Sequence, residues 1–208
     1  MKTLSLPESV KLAKKHGIKF ARSETARNGK ELALACKKTG FPVAMKIISS
    51  KISHKTDAGG VQLNIASLSE AKKVFSRMGK LKGFESVLVQ EMLRGKEIII
   101  GGKRDVQFGP TILVGLGGIY VEVFRDFQIG ICPVSRKTAR EMVENLKAYP
   151  ILKGMRGKKG VNLPKVFEAI VKASRLMVKE KTVQELDLNP VIATPKEVIA
   201  VDARVVVK

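Results

Sequence analysis

The chain has no tryptophan, 2 tyrosines and an aromatic fraction of 5% in 208 residues, so the rings on which single-stranded nucleic-acid binders stack bases are scarce. RNP-like, zinc-finger and basic-zipper patterns are missing as well. Two cysteines cannot form a disulfide framework. Cys36 falls in a helical pattern and Cys132 beside Pro133 in an apolar run, neither at metal-type spacing from a histidine; both are expected as buried free thiols. No apolar run approaches the roughly 20 residues that cross a bilayer. The start, MKTLSLPESVKLAKKHG, lacks the apolar centre of a signal peptide, and a cytoplasmic protein with no membrane contact is expected. Acidic residues are also few: 19 Asp and Glu stand against 39 Lys and Arg, a formal net charge of +20. Such a charge repels itself and attracts polyanions. Its basic residues are spread without a block, so it is compatible with nucleic acid, a polyanionic small ligand or an acidic partner.

What is present begins with apolar content of 44%, enough for one large domain or two small lobes. The most informative stretch is Val43 to Val61, VAMKIISSKISHKTDAGGV. A β-favouring run with Lys46 at its centre leads into a polar loop ending Asp57, Ala58, Gly59, Gly60, an order that suggests strand, phosphate loop, strand. A lysine inside a core-type strand either snorkels to the edge or faces a bound anion. Glycines let backbone N–H groups approach a phosphate, and His54 could act as a nucleophile. The same residues also fit a plain hairpin turn with Lys46 on a solvated face.

Ser5 with Glu8 stands at capping-box spacing before a helix over about residues 6–16, stopped by Gly17, with His16 as a helix C-terminal charge or cap. Ile18 to Ala21 reads as a short strand. Asn28 with Glu31 caps a helix ended by Gly40, and Ser67 with Glu70 caps one through about Arg77. Val61, Leu63 and Ile65 alternate with polar residues, so this strand and the Lys46 strand pair as a hairpin. SVLVQEM (86–92), EIIIG (97–101) and TILVGL (111–116) read as strands too apolar for a sheet edge. A second glycine cluster, Gly115 to Gly118, precedes an apolar run over 119–124. Ser135 begins a helix, residues 150–163 form a basic, glycine-rich loop, and Pro164 opens an amphipathic helix.

In the closing strands Glu185, Asp187 and Asn189 alternate and share one face, and Asp202 lies on the return strand. A hairpin there can set Asn189 beside Asp202. Two oxygen ligands, with positions left for water and phosphate oxygens, suit Mg²⁺. The alternative is a turn at Asn189-Pro190 and an ion pair between Asp202 and Arg204.

Read together and in order, KIISSKISHKTDAGGV, VLVQEML, KEIIIGGKRDVQFGP, GLGGIYVEV, YPILKGMRG and ELDLNPV with VDAR closely resemble the ATP-grasp (β) subunit of NDP-forming acyl-CoA synthetases of the ADP-forming acetyl-CoA synthetase type. The likeness covers almost the whole chain. It implies an α+β, two-lobed ATP-grasp fold with antiparallel sheets flanking a nucleotide cleft, with lobes at about 1–90 and 91–208. It also implies that Lys46 contacts nucleotide phosphates beside the Asp57, Gly59, Gly60 loop, that Gln90, Glu91 and Met92 form the adenine hinge, and that Glu97 lies near ribose or phosphates. Asn189 and Asp202 would hold Mg²⁺ for ATP or ADP. His54 matches the transiently phosphorylated relay histidine, with Lys51 and Lys55 depressing its pKa and then neutralising its phosphate. The implied partner is a CoA-ligase α subunit in a hetero-oligomer, which binds CoA and the acyl group. The overall reaction is acyl-CoA, ADP and phosphate giving acid, ATP and CoA.

One position departs from the family pattern. Where an arginine usually precedes an apolar-Pro step, this chain has Gly130. If that arginine contacts phosphate, turnover would be slow or the substrate altered. A catalytically impaired nucleotide-binding regulatory subunit is therefore the second expectation, and a basic nucleic-acid-binding protein, with affinity falling steeply in salt, the third.

Overall fold

The structure, a computed structural model, describes residues 1–49, 51–52, 58–117, 125–155 and 157–208. Along the chain these form β1 (Lys2–Thr3), α1 (Leu6–Lys15), β2 (Ser23–Ala26), α2 (Gly29–Thr39), β3 (Val43–Ser49), β4 (Val61–Ile65), α3 (Leu68–Met78), β5 (Phe84–Glu91), β6 (Lys96–Asp105), β7 (Gly109–Leu116), β8 (Phe127–Ile131), α4 (Arg136–Glu144), α5 (Tyr149–Lys153), α6 (Leu163–Lys179), β9 (Val183–Ala193), β10 (Val198–Ala200) and β11 (Arg204–Val207). They divide into two compact units, Ala21–Leu93 and Met1–Phe20 with Arg94–Lys208. The first 20 residues thus do not join the following segment, as a 1–90 lobe requires. Strand pairing is the reason: Lys2 and Thr3 pair with Val207 and Val206, and the Ala200 N–H donates to Lys19 O at 2.8 Å.

The smaller unit carries an antiparallel sheet in the order β2-β5-β3-β4. Its helices start where side chains satisfy the orphan N–H groups of the first turn. Asn28 accepts from the N–H groups of Lys30 and Glu31, while the Glu31 carboxylate accepts from Arg27 N at 2.8 Å. Ser67 and Glu70 make the same reciprocal pair before α3. Leu32, Ala35 and Cys36 of α2 and Ala71, Val74 and Met78 of α3 close over Ala26, Val43, Met45, Ile65, Val87 and Val89. Because strand side chains alternate, covering Val43 and Met45 turns Ala44 and Lys46 to the opposite face. Ile18 to Ala21 forms no strand, only a single bridge from Phe20 to Ala200. The strand lies later, at Ser23–Ala26, where the ladder to β5 holds a polar segment extended.

The larger unit is built on the sheet order β1-β11-β9-β6-β7-β8, with β10 paired to β9. Helix α6 lays Val166, Phe167, Ile170, Ala173, Leu176 and Met177 on one face, against Ile98, Ile100, Ile112, Val114, Leu186 and Leu188. The approach is close enough that a Cβ on Gly102 would lie 2.7 Å from the Met177 side chain. Of the three runs expected away from an edge, β5, β6 and β7, each is flanked by strands on both sides. The basic segment after residue 148 is not loop throughout, since α5 occupies its first part. Among the described residues no helix is long and apolar enough to cross a membrane.

Candidate functional site

In the smaller unit the face of the sheet turned away from α2 and α3 carries the first group of candidate residues. Lys46 pairs with Leu88 and Val61, and Ala44 with Gln90, so Lys46 and Gln90 sit on one face as diagonal neighbours on adjacent strands. Both are buried, with Lys46 5% exposed and Gln90 3% exposed, and Ser86 shares the face at 4%. Sequence reasoning missed Ser86; its alternation with Leu88 and Gln90 was the available signal. Burying an ammonium costs several kcal/mol before compensation, so such a lysine marks a place where negative charge is expected.

The loop after β3 is described at its ends. Ile47 N donates to Gly60 O at 2.7 Å, and Gly59 has φ +69°, a conformation that glycine adopts without a Cβ penalty. His54 and Asp57, the proposed relay and loop carboxylate, lie outside the described residues. At the expected hinge, the N–H groups of Glu91 and Met92 donate to Arg22 O at 3.0 Å and Pro42 O at 3.4 Å. The Glu91 carboxylate accepts from Arg22 N at 2.7 Å and Arg22 Nε at 2.8 Å. The Glu91 side chain therefore ties the start of β2 to β5.

In the larger unit Glu97 is exposed at the start of β6. Its carbonyl accepts from Gly117 N at 2.7 Å, and a Cβ on Gly117 would lie 3.0 Å from the Glu97 backbone. The second glycine cluster is thus explained in part by close backbone packing. Gly118 and the run over 119–124 lie outside the described residues.

The closing hairpin keeps one register on both sides of residues 201–203, before its shift at Val207: Val198, Ile199 and Ala200 pair with Ala193, Ile192 and Val191, and Arg204 pairs with Asp187. Between them Val201 N donates to Pro190 O at 2.9 Å, so position 202 falls opposite position 189. The structure thus brings Asn189 and Asp202 together across two strands. Leu186 and Leu188 point into the core, which places Glu185, Asp187 and Asn189 on the other face. Burial pushes the Asp187 carboxyl up; Arg204 opposes the shift, while Asp202 and Glu185 add to it. Asp202 also accepts from Ala203 N at 2.8 Å. A carboxylate crowded by other carboxylates gains from a nearby cation, and a carboxylate with an amide oxygen is a hard donor set that suits Mg²⁺. Among the described residues no group of three or more His, Cys, Asp or Glu side chains is placed to hold a metal.

Three further residues have structural duties. His16 caps α1 and places Nε2 2.8 Å from Glu180 Oε1. Asp126, 9% exposed, accepts from Lys147 N at 3.0 Å and Ala148 N at 2.8 Å, fixing the entry to α5. At Gly130 an added Cβ would lie 3.0 Å from Met142 Sδ and Val134 Cγ1. A side chain at that position therefore starts into the helix-covered side, away from the face that carries Asp187 and Asn189. Cys36 and Cys132 are buried free thiols, both pushed up in pKa by burial.

The sequence pattern of the ATP-grasp domain matches residues 1–207. The chain is 39% identical over 208 residues to the ADP-forming acetate-CoA ligase I subunit beta of Pyrococcus furiosus, covering 96% of this chain and 90% of that protein. It is 39% identical over 206 residues to the ADP-forming acetate-CoA ligase I of Archaeoglobus fulgidus, of which it spans 30%. Among solved structures, it is similar to the dinucleotide-forming acetyl-coenzyme A synthetase 1 of Ca. Korarchaeum cryptofilum in complex with coenzyme A, Ca-AMPCP and HgCl+. That match has a TM-score of 0.93 and 37% identity, and covers 100% of this chain and 94% of the other.

Proposed function

The chain belongs to the ATP-grasp domain family, and from that premise we propose that it is the nucleotide-binding β subunit of an ADP-forming acyl-CoA synthetase. It moves phosphate between His54 and ADP or ATP and works with a CoA-binding α subunit in the cytoplasm. The observation that carries the reading is Lys46, a residue 5% exposed in mid-strand on the face turned away from the helices. A fixed cation in a low-dielectric setting stabilises the spread negative charge of a transferring phosphoryl group. Lys46 holds that charge in place, and Asp57, Gly59 and Gly60 line the loop that meets the phosphates. Gln90, Glu91 and Met92 receive the adenine, and Glu97 lies towards the ribose or phosphates.

Asn189 and Asp202 would hold Mg²⁺, with Asp187 on the same face of β9 as Asn189. When bound, the ion would supply positive charge that screens the phosphate oxygens during transfer. A donor set this small suits an ion that arrives with its nucleotide and keeps waters and phosphate oxygens as its other ligands. In a neutral state His54 is a competent nucleophile towards phosphorus; an N–P bond forms from the imidazole nitrogen to the γ-phosphoryl group as its bond to the β-phosphate oxygen breaks and ADP leaves, and the reverse transfer makes ATP. The second reading, a catalytically impaired subunit, rests on Gly130; the Cβ direction there, towards Met142 and Val134, supports the active reading instead.

The test is radiolabelling with γ-labelled ATP and Mg²⁺. An acid-labile, base-stable label is expected on the wild-type chain and none on His54→Gln. Labelling that survives His54→Gln overturns the relay.

A further inference from the structure

We propose that the exposed face of β8, carrying Phe127, Ile129 and Ile131, is the surface on which the CoA-binding partner subunit docks. The inference rests on the functional reading above and adds the place of contact.

Among the described residues β8 ends the path of its sheet, pairing with β7 on one side. Gly130 on this strand faces Met142 and Val134 of the helix-covered side, so by alternation Phe127, Ile129 and Ile131 project from the opposite face. They are 41%, 60% and 59% exposed. Thr111 pairs with Ile131 and Arg104 with Pro110, which sets the β6–β7 turn at the Ile131 end of the strand. That turn adds Phe108 at 61% and Val106 at 101% exposure. Single exposed hydrophobics are ordinary, but a run of large ones along a sheet edge is not. Edges that stay in water are blunted by lysine, proline or an inward charge, and FQIGI has none of these. An edge of this kind is stable in solution when another protein covers it.

Two observations favour the CoA-binding subunit over a second copy of this chain. First, a net charge of +20 makes self-association costly, whereas a partner of lower or opposite charge meets no such penalty. Second, in the Archaeoglobus fulgidus relative the matching region is 30% of a longer chain, so there it is joined to further polypeptide.

The test co-expresses the full chain with the CoA-binding α subunit of the same genome and compares wild type with the double variant Ile129→Lys, Ile131→Lys. Affinity is read by sedimentation, and MgATP binding of each chain alone by calorimetry. The double variant is expected to bind the α subunit roughly 100-fold more weakly, with MgATP affinity unchanged. Leu34→Lys, at a 60% exposed apolar site on α2, is expected to alter neither. Ile129→Ser with Ile131→Ser gives the same readout should the lysine pair fold poorly. Undiminished α binding by the variant overturns the docking surface and leaves the functional reading standing. Absence of any wild-type complex overturns the docking surface, and loss of MgATP binding as well takes the functional reading with it. Self-association of the wild type that the double variant abolishes overturns the proposal in favour of a second copy.

Discussion

Replacing Lys46 with methionine separates two duties that a buried lysine can have. The residue is 5% exposed, so a phosphate within about 4 Å of its ammonium at an effective dielectric of about 20 interacts with it by roughly 4 kcal/mol. Part of that is offset by the water the phosphate gives up, leaving about 2–3 kcal/mol, or roughly a 30- to 150-fold rise in Kd for MgATP on Lys46→Met. Methionine has similar length and fits the strand between Leu88 and Val61, so unfolding free energy is expected to change by no more than about 1 kcal/mol. Calorimetric titration of MgATP and urea denaturation of the same preparations measure the two quantities. If Lys46 instead held a structural ion pair, its loss would cost about 3–5 kcal/mol of stability. A variant that unfolds at much lower urea yet binds MgATP as tightly as wild type refutes the phosphate assignment.

Other expectations follow from the larger unit. Asp202→Asn is expected to abolish most of the gain in ATP affinity that Mg²⁺ confers, with metal-free ATP binding little changed; titrations with and without Mg²⁺ check this. Gly130→Arg is expected to cost about 1–3 kcal/mol of stability by overpacking against Met142 and Val134, without raising turnover; denaturation and coupled assays measure both. Glu180, which ties α6 to α1, has its carboxyl held below the usual range, first by the hydrogen bond from His16 and then by Lys15. A depressed carboxylate contributes stability above its unfolded pKa and loses it as pH falls through the folded pKa. Glu180→Gln should therefore destabilise at neutral pH, with the difference from wild type closing in acid; melting curves across that range test the sign.

Features carried by local chemistry were legible in the sequence. Ser67 with Glu70 and Asn28 with Glu31 marked their helices because a cap is a contact between near neighbours. The Asn189–Asp202 juxtaposition was legible because a short hairpin leaves few registers. β2 was misplaced because Ser23, Glu24 and Thr25 carry no apolar alternation and owe their conformation to β5. α5 was hidden because a five-residue helix shows too little periodicity and is anchored from outside by Asp126. The direction of Gly130 depends on which face α4 covers, a fact of tertiary packing. The company kept by the first 20 residues depends on pairing with the far end of the chain, which no local window contains.

That pairing bears on how the chain is made. Residues 21–93 hold every strand of their own sheet, so this insert can finish folding on the ribosome once it has emerged. The flanking unit cannot, because Lys2 and Thr3 find their partners at Val207 and Val206. β1 thus waits, unpaired, until β11 has been made, and a chain stalled before β11 would expose it together with the bare edge of β9.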